Sequence, residues 1–236
     1  MNIDLLFFGN AGWGDEMLIG AFMTLAVSVC AYTVGIMLGA IAAALKLSRF
    51  LALRLIADAY TTLVRGIPEL LIIYLVFFGG GIFLSKIGSA LFGWEGFINP
   101  PIFVTGMVCI GFSSGAYSAE VIRGGVLAVP KGQIEAAMAI GMGPVTRFRR
   151  VLVPQVVRFA LPGMGNVWQL TLKHTSLISV IGLVEIMRQS AVASGSTREP
   201  FTFYLVAALL YLGLTSISNR GFQRAETWAN KGVRSS

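Results

Sequence analysis

Charge is what this chain has least of: 12% of its 236 residues are Asp, Glu, Lys or Arg, against roughly 25% in an ordinary soluble domain. With 56% of the residues hydrophobic, there is too little polar surface to wet a soluble globule of this length. Cysteine is nearly absent too. Cys30 and Cys109 both lie in apolar runs, with no Cys, His or carboxylate near either at metal-ligand spacing, so they read as small buried apolar residues, neither staple nor metal site. The single histidine, His174, provides no second imidazole for a metal and no adjacent acid along the chain for a catalytic base. No phosphate-cradling G-x-x-x-x-G-K-[ST] occurs, so nucleotide hydrolysis is not assigned to this chain. The net charge of +7 brings nucleic acid to mind. Its cations fall between apolar stretches with no base-reading pattern, and nucleic acid is set aside as a partner.

What the chain does have is long uncharged runs. Positions 17 to 45, 29 residues between Glu16 and Lys46, carry no charge, and about 20 apolar residues suffice to span a bilayer as a helix. This run is too long for a signal-peptide core and its flank is acidic (Asp4, Asp15, Glu16), so it is expected to stay attached as the first span. Further spans are expected from about Ala59 to Phe83, between Glu95 and Glu120, from about Pro162 to Leu183, and between Glu199 and Arg220. The fourth carries Lys173 and His174 near its middle, and Pro162 suits its first turn. The 28 glycines fit helices that approach closely within a membrane. The fold class is therefore an all-α integral membrane protein with about five transmembrane helices, residues 1–236 forming one transmembrane domain.

The loops alternate in Lys/Arg content, and such cations mark cytoplasmic loops. Lys46, Arg49 and Arg54 follow the first span; Lys131, Arg147, Arg149, Arg150 and Arg158 lie in the third loop; Arg220, Arg224, Lys231 and Arg234 lie in the tail. The acidic N-terminus, the second loop with Lys86 and Glu95, and the fourth with Glu185, Arg188, Arg198 and Glu199 have little or no positive excess. The N-terminus is thus expected outside and the C-terminus inside.

Several polar positions stand out within or at the ends of the spans. Lys173 near mid-membrane costs about 2.5 to 3.5 kcal/mol to insert, so it must face protein or water. Gln169 and Lys173 are spaced i, i+4 on one helix face, and with Asn166, His174, Thr175 and Ser176 they form a polar stripe able to line a pathway. The structural alternative for Lys173 is an ion pair with Glu69 or with a partner subunit. Arg65 and Glu69, also i, i+4, flank Gly66 and Pro68, which points to a kinked second span able to gate; the alternative is a local ion pair at the headgroups. Glu120 and Arg123, i and i+3, read as a structural pair.

The third loop, Val129 to Gln155, is too long for a structureless connection. Glu135 to Ile140 is built of helix formers, Gly141 and Gly143 suit a helix end, and Pro144 suits the start of another, so two short helices are expected. On their residues alone they could lie on the membrane surface, held by Arg147, Arg149 and Arg150 near anionic headgroups.

Within this loop, Glu135-Ala136-Ala137, Gly141 four residues on, then Val151 and Val153-Pro154 resemble the EAA motif of binding-protein-dependent ABC permeases, with Val151 and Val153 standing where the family more often has Ile and Leu. The segments Thr61 to Leu71, Gly115 to Gly125 and Leu161 to Leu177 are similar to the polar amino acid permease group. Tyr60-Thr61-Thr62 and Ser196 to Phe201 resemble the first permease subunit of histidine, basic amino acid and opine importers. The resemblance implies a type I importer permease fold in a bacterial inner (cytoplasmic) membrane, with a periplasmic N-terminus. It implies that the loop at about 129–155 is a coupling helix region docking on an ATPase through Glu135, Ala136, Ala137, Gly141, Val151 and Pro154. It also implies a second, similar permease, a dimeric ATP-binding subunit that holds ATP and Mg, no cofactor in this chain, and a periplasmic substrate-binding protein. A stand-alone channel or ion-coupled secondary transporter would also need buried polar residues, but has no use for such a loop, and no internal repeat of the kind found in secondary transporters is visible. A membrane-embedded enzyme would need paired acids or a nucleophile with its base, which the spans lack.

Overall fold

The computed structural model describes residues 3–9, 12–93, 96 and 100–231; Glu95 and Arg234 lie outside the described residues. The described chain is helical, with no strand among those residues. Helix α1 (Gly14–Lys46) crosses α5 (Ile102–Leu127) over most of its length. Their close approach follows from small residues on both sides, the packing that membrane helices use in place of hydrophobic exclusion. A Cβ at Gly35 would stand 2.5 Å from Ser114 Oγ, and one at Gly39 would stand 2.5 Å from Ser118 Cβ, so Gly35-x-x-x-Gly39 meets Ser114-x-x-x-Ser118 with no room for a larger side chain.

Helix α2 (Leu51–Gly66) is separate from the span that follows it. A continuous second span from Ala59 was expected; instead Ile67 (φ −99°, ψ 136°) and Pro68 (φ −57°, ψ 129°) are extended. The physical reason is that a pre-proline residue is driven out of the helical region and proline has no N–H to continue the ladder. The membrane-crossing segment starts at Glu69: α3 (Glu69–Tyr74), a π turn (Leu75–Gly79) and α4 (Gly80–Phe92) run on as one apolar element from Glu69 to Leu91. Only 11% of its most apolar window is buried, leaving a wide face for lipid or another subunit.

After α5 come α6 (Lys131–Ala139), α7 (Pro144–Arg147), a π turn (Phe148–Leu152) and α8 (Val153–His174). Pro162 lies inside α8, so the fourth span does not begin there as expected; the element starts more than a turn earlier, and the π turn precedes it. A 3₁₀ stretch, Thr175–Ile181, ends at Gly182 (φ 101°), and α9 (Ile186–Thr197) leaves at a bend of 49° to the preceding span. Helix α10 (Pro200–Ala229) closes the order. Among the described residues, four helices are long and apolar enough to cross a membrane, or five with the bent pair taken as one span.

Two apolar clusters hold these helices. Val27, Ala31, Ile73, Cys109, Ile110 and Ile178 join α1, α3, α5 and the 3₁₀ stretch; Met17, Ile186, Ala193, Phe203 and Ala207 join α1, α9 and α10. Cys109 is buried as expected, while Cys30 is half-buried.

Candidate functional site: a coupling loop and a polar cluster

The loop between α5 and α8 is built around a glycine. Gly141 has φ +76°, a conformation that costs a residue with a Cβ about 1 to 2 kcal/mol. It lets α6 end in a Schellman motif: the Met142 N–H donates to Ala137 O at 3.0 Å and the Gly141 N–H to Met138 O at 2.9 Å. Pro144, with its fixed φ, starts α7. The two short helices expected from the sequence are thus both present. Ala137 is buried and anchors α6, whereas Glu135 and Ala136 are exposed beside it. Val151 sits half-buried in the π turn and Pro154 is exposed in the first turn of α8, so these two belong to the base of the loop and Glu135, Ala136 and Gly141 to its tip. Met138, Ile140 and Val145, which no motif marks, are exposed by 49%, 73% and 69%. They add an apolar surface to the tip, and large apolar residues recurring in a loop outside the spans are the available signal.

The second feature is a polar cluster that sequence spacing did not reveal. Because the chain breaks at Ile67-Pro68, Glu69 stands at the start of α3 facing α5 and the end of α8. Its Oε1 accepts from Ser113 Oγ at 2.5 Å, and its Oε2 lies 2.5 Å from His174 Nδ1, an ion pair when the imidazole is protonated. Glu69 and His174 are 16% and 28% exposed, enclosed yet reachable. One layer deeper, Thr171 Oγ1 donates to Ser114 Oγ at 3.1 Å. From the sequence, His174 has no carboxylate nearby, and Arg65 and Glu69 share one kinked helix, as a gate or else as a local ion pair. The break corrects both: Arg65 instead lies over the Tyr117 ring, 5.3 Å from its centroid, and His174 takes Glu69.

The stripe on α8 divides. Gln169 Nε2 donates to Asn219 Oδ1 at 2.5 Å, tying α8 to α10. Lys173 is exposed, and its ammonium has no hydrogen-bond or ion-pair partner among the described residues; the ion pair with Glu69 weighed for it does not form. Ser176 is half-buried, and its hydroxyl donates to Lys173 O at 2.8 Å.

Two further charge clusters tie the frame. Lys46, whose side chain is 8% exposed, lies 2.9 Å from Asp58 and also meets Glu120; Glu120 in turn accepts from Arg123 Nη2 at 2.9 Å. The expected Glu120–Arg123 pair is therefore part of a four-residue network joining α1, α2 and α5. Glu185, fully buried and not in an exposed loop, caps α9 by accepting from the Arg188 N–H at 2.8 Å and accepts from Tyr211 Oη at 2.8 Å.

Among the described residues no group of three or more His, Cys, Asp or Glu side chains is placed to hold a metal.

Residues 35–226 match the family model described as the binding-protein-dependent transport system inner membrane component. The nopaline transport system permease protein NocQ of Agrobacterium fabrum is 64% identical over 235 residues, covering 100% of both chains. The octopine permease protein OccQ of Rhizobium meliloti is 53% identical over 98% of both. The histidine/lysine/arginine/ornithine permease protein HisQ of Salmonella typhimurium is 40% identical over 88% of this chain and 90% of its own. Among solved structures, an amino acid ABC transporter crystallised with histidines superposes with a TM-score of 0.78 at 30% identity, over 96% of this chain and 99% of that one. The MetNI methionine ABC transporter shares the fold, with a TM-score of 0.71 at 16% identity over 92% and 97%. The chain therefore belongs to the binding-protein-dependent transport system inner membrane components and is a membrane permease subunit of an ABC transport system with the type I importer fold.

Proposed function

We propose that this permease forms one half of the translocation pathway of an importer for opines of the nopaline type, with basic amino acids as secondary substrates. The observation that carries the substrate class is 64% identity across the whole chain to a nopaline permease. Residues 1–236 act as one transmembrane unit in a bacterial inner membrane, N-terminus periplasmic and C-terminus cytoplasmic, which the distribution of Lys and Arg supports. A distinct but similar permease completes the pathway, a periplasmic binding protein delivers substrate, and a dimeric ATPase carrying ATP and Mg supplies the drive.

The tip of the third loop is the contact with that ATPase. Met138, Ile140 and Val145 provide apolar anchors, exposed Glu135 offers a charged contact for an Arg or Lys on the partner, and small Ala136 and Gly141 allow close approach; Val151 and Pro154 transmit its movement into α8. Glu69, Ser113 and His174 line the pathway and receive a cationic substrate group. Lys173, with Gln169 on α8 and Ser176 in the 3₁₀ stretch that follows, faces the substrate carboxylate, and Arg65 at the end of α2 lies at the break that acts as a gate.

The test is ATP hydrolysis by the complete complex in lipid nanodiscs, with the liganded binding protein and nopaline, octopine, arginine or histidine in turn. Stimulation by opines ahead of amino acids supports the assignment. Assembly without stimulation by any of them overturns it. Glu135→Lys is expected to insert and assemble, hydrolyse ATP and lose uptake; normal uptake by that variant would remove the loop from the coupling role.

A further inference from the structure

An apolar groove of about 650 Å³ runs between α1, α5, α8 and α10 at the end where the loop tip lies. Its wall extends from Tyr32 in α1 to Leu47 just past its end, 16 residues with a rise of about 22 Å at 1.5 Å per residue. One leaflet, headgroup region included, is about 20 to 22 Å thick, so the groove is as long as a phospholipid is tall. Among the described residues Tyr32 is the one polar side chain lining it, and its hydroxyl already donates to Met164 O at 2.9 Å. The occupant is therefore apolar along its length. Exposed Ala40 and Ala44 form the floor, and Phe148 and Leu152 of the π turn wall the mouth.

That same π turn carries Arg149 and Arg150, with Arg147 just before it. Arg149 and Arg150 are exposed, and none of the three guanidiniums has an ion pair or hydrogen bond among the described residues. Glu120, the acid of α5 nearest its cytoplasmic end in sequence, is taken by Lys46 and Arg123. An apolar slot one leaflet long, walled in part by the turn that carries these unpaired cations, matches an acyl chain below an anionic headgroup. It does not match the basic cytoplasmic end of a second permease, which would bring like charge to the same place. We infer that this groove binds an anionic phospholipid, its chain along α1 and its phosphate at Arg149 and Arg150. The π turn it would seat links the loop tip to α8, so lipid would brace the lever through which the tip moves the membrane helix.

The inference rests on the orientation proposed above and not on the substrate, and its test uses no substrate, so the two can fail separately. The complete complex, purified in detergent and offered phosphatidylglycerol or phosphatidylcholine, is analysed by native mass spectrometry. The wild type is expected to retain phosphatidylglycerol in preference. Arg149→Gln with Arg150→Gln should lower that preference by about fivefold for each charge removed, the equivalent of about 1 kcal/mol each. Ala44→Trp, which fills a floor already exposed, should abolish retention of both lipids with the arginines intact. Unchanged retention in both variants overturns the proposal. So does a covalent photo-crosslink from benzoylphenylalanine placed at position 44 to the second permease in the assembled complex, which would put protein in the groove.

Discussion

Replacing Gly141 isolates the loop tip from the rest of the fold. A Cβ there meets nothing within 4 Å, yet φ is +76°, so the cost of a side chain is one of backbone conformation alone. For an ordinary L-residue that cost is about 1 to 2 kcal/mol, which lowers the population of the Schellman-closed tip by about 5- to 30-fold. A β-branched residue pays more, and Asn, which tolerates the left-handed region, pays least. Uptake per ATP hydrolysed should therefore fall in the order Gly, Asn, Ala, Val at position 141, while the amount of chain in the membrane stays constant. The assay is labelled-substrate uptake and phosphate release measured together in proteoliposomes. If Gly141→Val couples as well as the wild type, the tip geometry does not matter to coupling and the reasoning fails.

Gly39→Leu should disrupt the α1–α5 crossing, because its Cβ would already stand 2.5 Å from Ser118 Cβ; about 1 to 3 kcal/mol or more of overpacking should appear as a lower melting temperature, with Gly66→Ala, open on all sides, as the unaffected control. Glu185→Ala removes an N-cap and leaves the Tyr211 hydroxyl without its partner, for a combined loss of about 2 to 4 kcal/mol; thermal unfolding of the purified complex should show it, and Glu185→Gln should lose less. Glu69→Ala and His174→Ala should each reduce uptake, and the double variant should do little worse than the more severe single one, since the two side chains act as a pair; additive losses in uptake assays would separate their roles.

The spans were legible where nothing interrupts an apolar run, as in α1. They were misplaced where another effect competed. The run that begins at Ala59 is apolar enough to pass for membrane, but Pro68 ends α2 and restarts the chain at Glu69, so a proline taken for a kink is a break. Pro162 suits a helix start in sequence and instead lies within α8. Neither π turn has a signature in residue type. The loop tip was the most readable element because its geometry is local: Gly141 and Pro144 each impose one backbone conformation. The Glu69–His174 pair was illegible for the opposite reason. Its members are 105 positions apart, and only the packing of α3 against α5 and the end of α8 brings them together. Glu185 likewise looked like a loop acid until α9 folded over it.

The central claim is that this chain turns ATP hydrolysis on another subunit into import. Its most direct test is accumulation of radiolabelled nopaline in proteoliposomes bearing the complete complex, with and without ATP on the ATPase side. Accumulation that needs ATP, the binding protein and this permease together is the predicted result. Uptake by this chain alone without ATP would contradict the account and make it a self-sufficient carrier or channel.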